Sequence, residues 1–170
     1  NSELRPLNSQ FSIHQFILPR KKMYLLIPGR HHALTDFQFK YLSRIISNGL
    51  VGEPDADGHL LTQDLPINGV VWAVTSANHS NTRRNPMPFY LRAMALLDFS
   101  QELLVPSHVF GIDDVGKLDD FASYTLKKIK HESEGLVDLT TDNCVVVCSS
   151  PVRHLYARLG FRVLPMRSEE

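Results

Sequence analysis

The stretch from Met23 to Ile46 most constrains the fold, because it joins an apolar strand to an amphipathic helix through a short polar turn. Met23–Ile27 is an uninterrupted apolar run, which is typical of a strand buried on both faces of a sheet. Pro28-Gly29 ends this run. Apolar residues then recur at helical spacing, at Phe37, Tyr41, Leu42 and Ile45. The stretch therefore predicts the first strand and the first helix of an α/β fold.

The turn in this stretch carries Arg30, His31 and His32. Thr35 and Gln38 follow with the spacing of a capping box, which starts a helix. The first turn of a helix attracts anions, because its unpaired N–H groups and the helix dipole point there. We therefore predict an anion site in which an arginine pairs with phosphate and a histidine donates to a phosphate oxygen. The alternative is a pair of solvated loop histidines.

The rest of the chain repeats the alternation of strand and helix. Further strands are predicted at Gly69–Ser76, Val105–Ile112, Cys144–Cys148 and Phe161–Leu164. The remaining helices are predicted at Pro88–Phe99 with Leu91, Ala95 and Leu96 on its apolar face, around the sequence FASYTLKKI, and at Pro151–Leu159. Short apolar strands that alternate with helices predict a Rossmann-like, doubly wound parallel sheet of about five strands with helices on both faces.

The predicted domain begins at residue 23 and continues to residue 170. Residues 1–22 precede it as an N-terminal arm or an added strand, for which Phe11–Leu18 is the candidate. Residues 48–68 are rich in Gly, Pro and Asp and are predicted to form a solvated loop. A metal site at Asp55, Asp57 and His59 is disfavoured, because the calcium-loop ligand series is absent.

Composition excludes several classes of function. The chain has 18 Lys and Arg against 18 Asp and Glu, and this zero net charge argues against a dedicated nucleic-acid or anionic-membrane surface. No apolar run approaches the ~20 residues that a membrane-spanning helix needs, and no signal-peptide pattern is present. Cys144 and Cys148 would lie ~13 Å apart along a strand, too far for a disulfide. A cytoplasmic protein with buried thiols is therefore expected.

Polar clusters follow four of the predicted strands. They are Arg30 to His32, Asn78 to Asn85, Asp113-Asp114 and Ser149-Ser150. In a doubly wound sheet, ligands bind beyond the carboxyl ends of the strands, so these clusters are predicted to form one rim. Arg83 and Arg84 either contact phosphate or form an exposed basic loop. The two aspartates either hold a ribose hydroxyl or Mg²⁺, or cap the following helix.

The chain lacks three common signatures of nucleotide and ester chemistry. No G-x-G-x-x-G follows the first strand, which disfavours a dinucleotide-binding dehydrogenase. The phosphate-binding G-x-x-x-x-G-K-[ST] sequence is absent, as is the G-x-S-x-G elbow of many hydrolases. Any nucleotide site in this chain therefore uses another set of residues.

The first and second motifs of the nucleotidylyltransferase superfamily have counterparts here. The chain most closely resembles the archaeal-type nicotinamide mononucleotide (NMN) adenylyltransferases, which open with G-R-x-Q-P-x-H-x-G-H. Gly29-Arg30 matches the G-R, and Thr35 to Gln38 lie at H-x-G-H, with Phe37 and Gln38 in place of the Gly and the second His. The family's S-x-x-x-S and R-[DN]-P-F-T-A-G-E-R segments correspond to Ser76, Ser80, Arg84, Asn85, Pro86 and Arg92, without the T-A-G-E.

Two later motifs extend the resemblance over residues 23–164. Asp114-Val115 and Phe121 keep the spacing of the family's strand-x-D-[IV] segment and its following aromatic residue. The sequence VVCSSPVRHLYARLGFRVL is similar to the family's V-Y-S-x-N-P-L-[VI]-x-R-L-F-x-x-x-G-[YF]-x-V, with Ser150 in place of Asn. The family's C-terminal basic motif has no counterpart in the sequence.

The resemblance implies transfer of AMP from ATP to a nucleotide monophosphate, most simply NMN, which gives NAD and pyrophosphate. Mg²⁺ would accompany ATP. The implied catalytic residues are Arg30, Thr35, Gln38 and Arg84. The implied substrate-binding residues are His31, His32, Ser76, Arg83, Asn85, Arg92, Asp114, Phe121, Ser149 and Ser150. Phe121 would stack on nicotinamide.

The changes at Phe37 and Gln38 also favour an alternative, a non-catalytic nucleotide-binding module of a larger protein. Both hypotheses expect small-molecule nucleotides as partners, with no nucleic acid and no membrane. A homo-oligomeric assembly is compatible with either hypothesis.

Overall fold

The computed structural model describes residues 22–62, 66–116 and 120–166. The strands are β1 (Met23–Gly29), β2 (Ile67–Thr75), β3 (Ser107–Ile112), β4 (Cys144–Cys148) and β5 (Arg162–Pro165). The helices are α1 (Asp36–Asn48), α2 (Phe89–Ser100), α3 (Phe121–Glu132) and α4 (Ser150–Ala157), and a short 3₁₀ turn, Gln101–Leu103, follows α2. The N-terminal arm or added strand predicted for residues 1–22 lies outside the described residues, apart from Lys22.

The five strands form one parallel sheet in the order β3-β2-β1-β4-β5. Central β1 pairs with β2 on one side and β4 on the other, so that Leu26 lies opposite both Val71 and Val146. The chain winds outward from β1 in both directions, which places the topological switch point between β1 and β4. The prediction of a Rossmann-like, doubly wound α/β fold is confirmed.

Alternate residues of the strands face two separate apolar layers. On one face, Leu25 and Trp72 pack with Leu42 of α1 and Leu96 of α2. On the other face, Leu26 and Val71 belong to the layer that contains Ile129 of α3 and Tyr156 of α4. Because both faces are covered, the central strands β1 and β4 are buried along nearly their whole length, as their uninterrupted apolar runs predicted.

The second helix differs from its predicted orientation. Its buried residues are Arg92, Leu96 and Ser100, whereas Leu91 is 41% exposed and Ala95 is also exposed. The predicted apolar face was wrong for Leu91 and Ala95, because a charged residue and a serine occupy the core-facing positions instead. Ser100 is satisfied there by a hydrogen bond of 2.9 Å from the Trp72 indole nitrogen.

The segment after α1 covers the outer edge of β5. Pro54 and Leu60 form an isolated antiparallel bridge, and the backbone N–H of Ala56 donates to the carbonyl of Val163 at 2.7 Å. The Asp55 carboxylate accepts from the backbone N–H groups of Asp57 and His59, both at 2.8 Å. Asp55 therefore shapes the turn of this segment.

Both cysteines lie on β4, are buried and are unbonded to each other. Burial raises the pKa of Cys144 to about 12 and that of Cys148 to about 11. Both thiols are therefore protonated at neutral pH and unreactive as nucleophiles. Within the described ranges, no helix is both long and apolar enough to cross a membrane.

We predict that Ser100→Ala lowers the free energy of unfolding by about 1–3 kcal/mol, because the buried Trp72 indole N–H would lose its acceptor. Urea denaturation followed by tryptophan fluorescence measures this change. Ser47→Ala, at an exposed position of α1, is the control and should change stability by less than about 0.5 kcal/mol. Equal stability of the Ser100→Ala variant and the wild type would contradict the assignment.

Candidate functional site

A crevice lies at the carboxyl ends of β1 and β2, facing the start of α3 and α4. It consists of two adjoining cavities of about 290 and 410 Å³, both lined by Arg30, Thr75, Phe121 and Val152. The smaller cavity also contacts Gly29, Ser149 and Tyr156, and therefore opens at the switch point between β1 and β4. The larger one extends over β2 to Ser76, Arg84, Asn85 and Asp114. This crevice is where a doubly wound sheet is expected to bind its ligand.

Two arginines carry positive charge at the surface of the crevice. Arg30 follows β1 and donates one hydrogen bond of 3.2 Å to the carbonyl of Arg84. Among the described residues, the side chain of Arg84 has no hydrogen-bond or ion-pair partner, and both side chains are exposed. Their guanidinium groups therefore retain donors for an anion that enters the crevice.

Arg92 has a different role from the one that the family resemblance implied. Its side chain is 0% exposed, and its terminal nitrogens donate to the carbonyls of Arg30 (3.0 Å), Thr75 (2.9 Å) and Ser76 (2.9 Å). A side chain without exposed surface cannot contact a substrate, so its prediction as a substrate-binding residue is corrected. Arg92 instead joins the ends of β1 and β2 from beneath the crevice.

The turns that follow β1 and β2, next to Arg92, contain strained backbone. His31 and Ser76 both have φ of 53°, a left-handed conformation that is unfavourable for residues other than glycine. His31 follows Arg30 directly, and the Ser76 carbonyl is one of the acceptors of Arg92. Strained residues of this kind cluster at functional sites, where the surrounding structure holds them in place.

His31 turns into the protein instead of toward the crevice. Its ring packs edge-on against Trp72 with centroids 5.2 Å apart, and Nε2 donates to the carbonyl of Ile27 at 3.1 Å. Burial lowers the pKa of His31 to about 4, and the positive charge of Arg92 contributes to this shift. The side chain is therefore neutral at pH 7, and the prediction that it binds substrate is corrected to a packing role.

His32 and Asn85 connect the first turn to the loop after β2. Nε2 of His32 donates to the side-chain carbonyl of Asn85 at 3.3 Å, and Nδ1 of His32 is buried without a partner in the described residues. Asn85 is itself buried, and its backbone N–H donates to the Thr82 hydroxyl at 3.0 Å. These contacts hold the loop, which places Arg84 at the crevice.

Asp114 and Phe121 form the side of the crevice beyond β3. The side chain of Asn78 bonds the backbone of Asp114 twice, at 2.8 and 3.1 Å, which ties this segment to the loop after β2. The Asp114 carboxylate is half exposed and accepts from the backbone N–H of Gly116. The alternative that Asp113 or Asp114 caps the next helix was wrong, because Asp120 caps α3.

Of the remaining predicted site residues, Ser149 lines the crevice and Arg83 does not. Ser149 lines the crevice as the N-cap of α4, makes no capping hydrogen bond with its side chain, and is followed by Ser150 as the first helical residue. Arg83 is exposed and is absent from the lining of the crevice.

Thr35 and Gln38 also lie outside the crevice. The backbone N–H of Thr35 donates to the Gln38 side chain at 3.0 Å, and the backbone N–H of Gln38 donates to the Thr35 hydroxyl at 3.2 Å. The predicted capping box is therefore confirmed. Thr35 lines a separate groove with Asp98, Phe99 and Glu102, so the position implied for it at a transfer point is not reproduced.

Five residues that line the smaller cavity were not predicted as site residues, namely Pro28, Gly29, Thr75, Val152 and Tyr156. Thr75 was detectable in principle, because it is the last residue of a strand at the predicted rim. Val152 and Tyr156 are four residues apart on α4, which puts them on one helical face, but this spacing equally suits a core contact. Here Tyr156 is a core residue whose surface forms part of the crevice floor.

The crevice offers limited support for metal binding. No group of three or more His, Cys, Asp or Glu side chains in the described ranges is arranged to hold a metal ion. Asp114 is the carboxylate among the residues that line the crevice. One carboxylate suits Mg²⁺ that arrives with substrate phosphates, because such an ion keeps most of its other ligands as water and phosphate oxygens.

Comparison of the sequence with protein-family models and with curated proteins finds no match. Function is therefore inferred from the fold and from the residues of the crevice.

We predict that His31 makes stability depend on pH between 6.5 and 4. The unfolded histidine takes up its proton near pH 6.5, whereas the folded one does so near pH 4, so acid favours the unfolded state in this interval. The contribution is fully present above pH 6.5, and up to about 3 kcal/mol is lost as the pH falls to 4. Urea denaturation at several pH values measures it.

The control for this measurement is His31→Asn, because asparagine tolerates a positive φ and does not titrate. The variant will be less stable overall, but its stability should fall less between pH 6.5 and 4. An identical pH dependence in both proteins would contradict the neutral state of His31 in the folded protein.

Proposed function

We propose that the crevice binds ATP and a nucleotide monophosphate, with NMN as the acceptor, and that the protein transfers AMP between them. The observation that supports this proposal is the convergence of Arg30, Arg84, Asp114 and Phe121 on one crevice at the switch point. These residues come from three separate segments, and each is also a position that matches the nucleotidylyltransferase pattern.

The size and charge of the crevice suit phosphorylated ligands. Its two cavities, of about 290 and 410 Å³, are comparable with small-molecule sites of about 300–1,000 Å³. Arg30 and Arg84 provide planar donors for phosphate oxygens, and Phe121 offers an aromatic face for a base. Asp114 would accept from a ribose hydroxyl or approach the Mg²⁺ that ATP carries.

The proposed reaction is a single displacement at phosphorus. A phosphate oxygen of NMN attacks the α-phosphorus of ATP, and a new P–O–P bond forms. The bond from the α-phosphorus to the oxygen that bridges it to the β-phosphorus breaks, and pyrophosphate leaves with that oxygen and both bond electrons. The protein needs no covalent intermediate, because it acts by aligning the two substrates and by balancing their negative charge.

The two arginines have separate tasks in this scheme. Arg30 stands near the switch point, between the two cavities, where it can contact the phosphates of both substrates. Arg84 is confined to the larger cavity with Asp114, where it would bind one phosphate group. The Ser149 hydroxyl, free of a capping bond, adds a donor at the opposite wall.

One observation favours a second candidate, a module that binds a nucleotide without turnover. Thr35 and Gln38, at the positions of the family's paired histidines, bond each other and lie outside the crevice. A protein that has lost these groups from its reaction centre would keep phosphate binding while losing the rate enhancement.

Calorimetry with Mg-ATP and with NMN, followed by an assay of pyrophosphate release, separates these candidates. Binding of both ligands with pyrophosphate release supports the transferase. Binding of ATP without release supports the non-catalytic module. Failure of both ligands to bind at millimolar concentration excludes both candidates.

We predict that Arg84→Ala weakens ATP binding by about 1–3 kcal/mol, the cost of losing a hydrogen bond to a charged group. Titration calorimetry measures the change. The matched control is Arg83→Ala, since Arg83 is adjacent and exposed but does not line the crevice. Equal affinities of the Arg84→Ala variant and the wild type would remove Arg84 from the site.

We further predict that Gln38→Glu leaves the unfolding temperature nearly unchanged, because glutamate also completes a capping box. Its ATP affinity should stay within about twofold of that of the wild type. Thermal unfolding and calorimetry test this expectation. If Gln38 instead contacted a phosphate, the added negative charge would reduce ATP affinity strongly, and the capping assignment would be incomplete.

A further inference from the structure

Arg92 is a buried cation without an acidic partner in the described part of the chain. Its side chain is 0% exposed, and its three hydrogen bonds all go to main-chain carbonyls. The remaining nitrogen, Nε, is buried and has no partner there. Carbonyl oxygens stabilise a guanidinium through their dipoles, but they carry no net charge to neutralise it.

An arrangement of this kind is costly in a protein that has no further use for the charge. Buried charges are normally paired, because removal of an ion from water costs several kcal/mol. A neutral side chain that donates hydrogen bonds could bond carbonyls at this position without that cost. Burial lowers the pKa of Arg92, which is the physical sign of this unfavourable environment.

The charge lies directly beneath the crevice. Two of the carbonyls that Arg92 bonds belong to Arg30 and Thr75, and both of these residues line the two cavities. Its third acceptor belongs to Ser76, which lines the larger cavity. The charge of Arg92 also acts on His31, one of whose neighbours is Arg30. The guanidinium is therefore hydrogen-bonded to the main chain of three residues that line the crevice.

We propose that Arg92 is the residue that makes the crevice selective for anions, with the phosphates of the bound ligand acting as its counter-charge. This inference rests on the proposed binding of phosphorylated nucleotides. Arg92 does not touch the ligand; it positions the turns that carry Arg30 and Ser76 and supplies a fixed positive potential below them. Low local polarity strengthens that potential relative to a charge in water.

Charge and hydrogen bonding can be separated by substitution. Arg92→Gln keeps N–H donors but removes the charge, whereas Arg92→Lys keeps both the charge and N–H donors. Both side chains are shorter than arginine and make fewer hydrogen bonds, so both variants should lose stability. Ser100→Ala is the matched control, because Ser100 lies on the same buried face of α2 and its loss removes a hydrogen bond without a charge.

The experiment is a calorimetric titration of wild type and the three variants with Mg-free ATP and with adenosine, which differ in charge and share the base and ribose. We expect Arg92→Gln to lose about tenfold or more in ATP affinity while its adenosine affinity stays within about twofold. Arg92→Lys should retain most of the preference for ATP over adenosine. Ser100→Ala should leave both affinities unchanged.

Other results of these titrations would count against either the role of Arg92 or the proposed function. Equal losses for ATP and adenosine in Arg92→Gln would show a purely structural role and overturn the proposal. Unchanged ATP affinity in Arg92→Gln would overturn it as well, while leaving the proposed nucleotide binding intact. Absence of ATP binding by the wild type would instead refute the proposed function, and the inference with it. If Arg92→Gln does not fold, the wild type alone decides, since an affinity for ATP no higher than that for adenosine would overturn the proposal.

Discussion

One guanidinium group holds together the ends of the two strands on which the crevice is built. Arg92 reaches from α2 to the carbonyls that follow β1 and β2, and these carbonyls belong to or adjoin residues with left-handed backbone. Backbone of this kind costs about 1–3 kcal/mol per residue and persists only where other contacts enforce it. The shape of the crevice therefore depends on a side chain that never reaches its surface.

Positive charge is arranged in two layers where Arg92 joins the ends of β1 and β2. Arg30 and Arg84 are exposed and have donors available for a ligand, whereas Arg92 is buried and donates three hydrogen bonds to the backbone. Exposed arginines are screened by water and salt, but an enclosed one is screened much less. The outer layer suits recognition of individual phosphate oxygens, and the inner layer sets the charge that the whole crevice prefers.

The fold was predictable because both faces of the sheet are covered, so the central strands appear as apolar runs. Cys144–Cys148 was predicted with the bounds that the structure shows, and the gathering of Arg30, Arg84 and Asp114 followed from parallel strands that end at one rim. The inward orientation of the His31 and Arg92 side chains was not predictable from the sequence. A histidine in a turn and an arginine on a surface helix normally face water, and only tertiary packing on Trp72 and on three carbonyls turns them inward.

The segment that covers β5 determines how this sheet can associate with others. The backbone N–H of Ala56 already donates to the carbonyl of Val163, so this group of β5 cannot pair with another strand, and within the described residues the opposite edge, β3, remains open. A sheet with two open edges can add neighbours without limit and grow into a fibre. With the β5 edge covered by its own chain at that point, the described part of the sheet presents one open edge, β3.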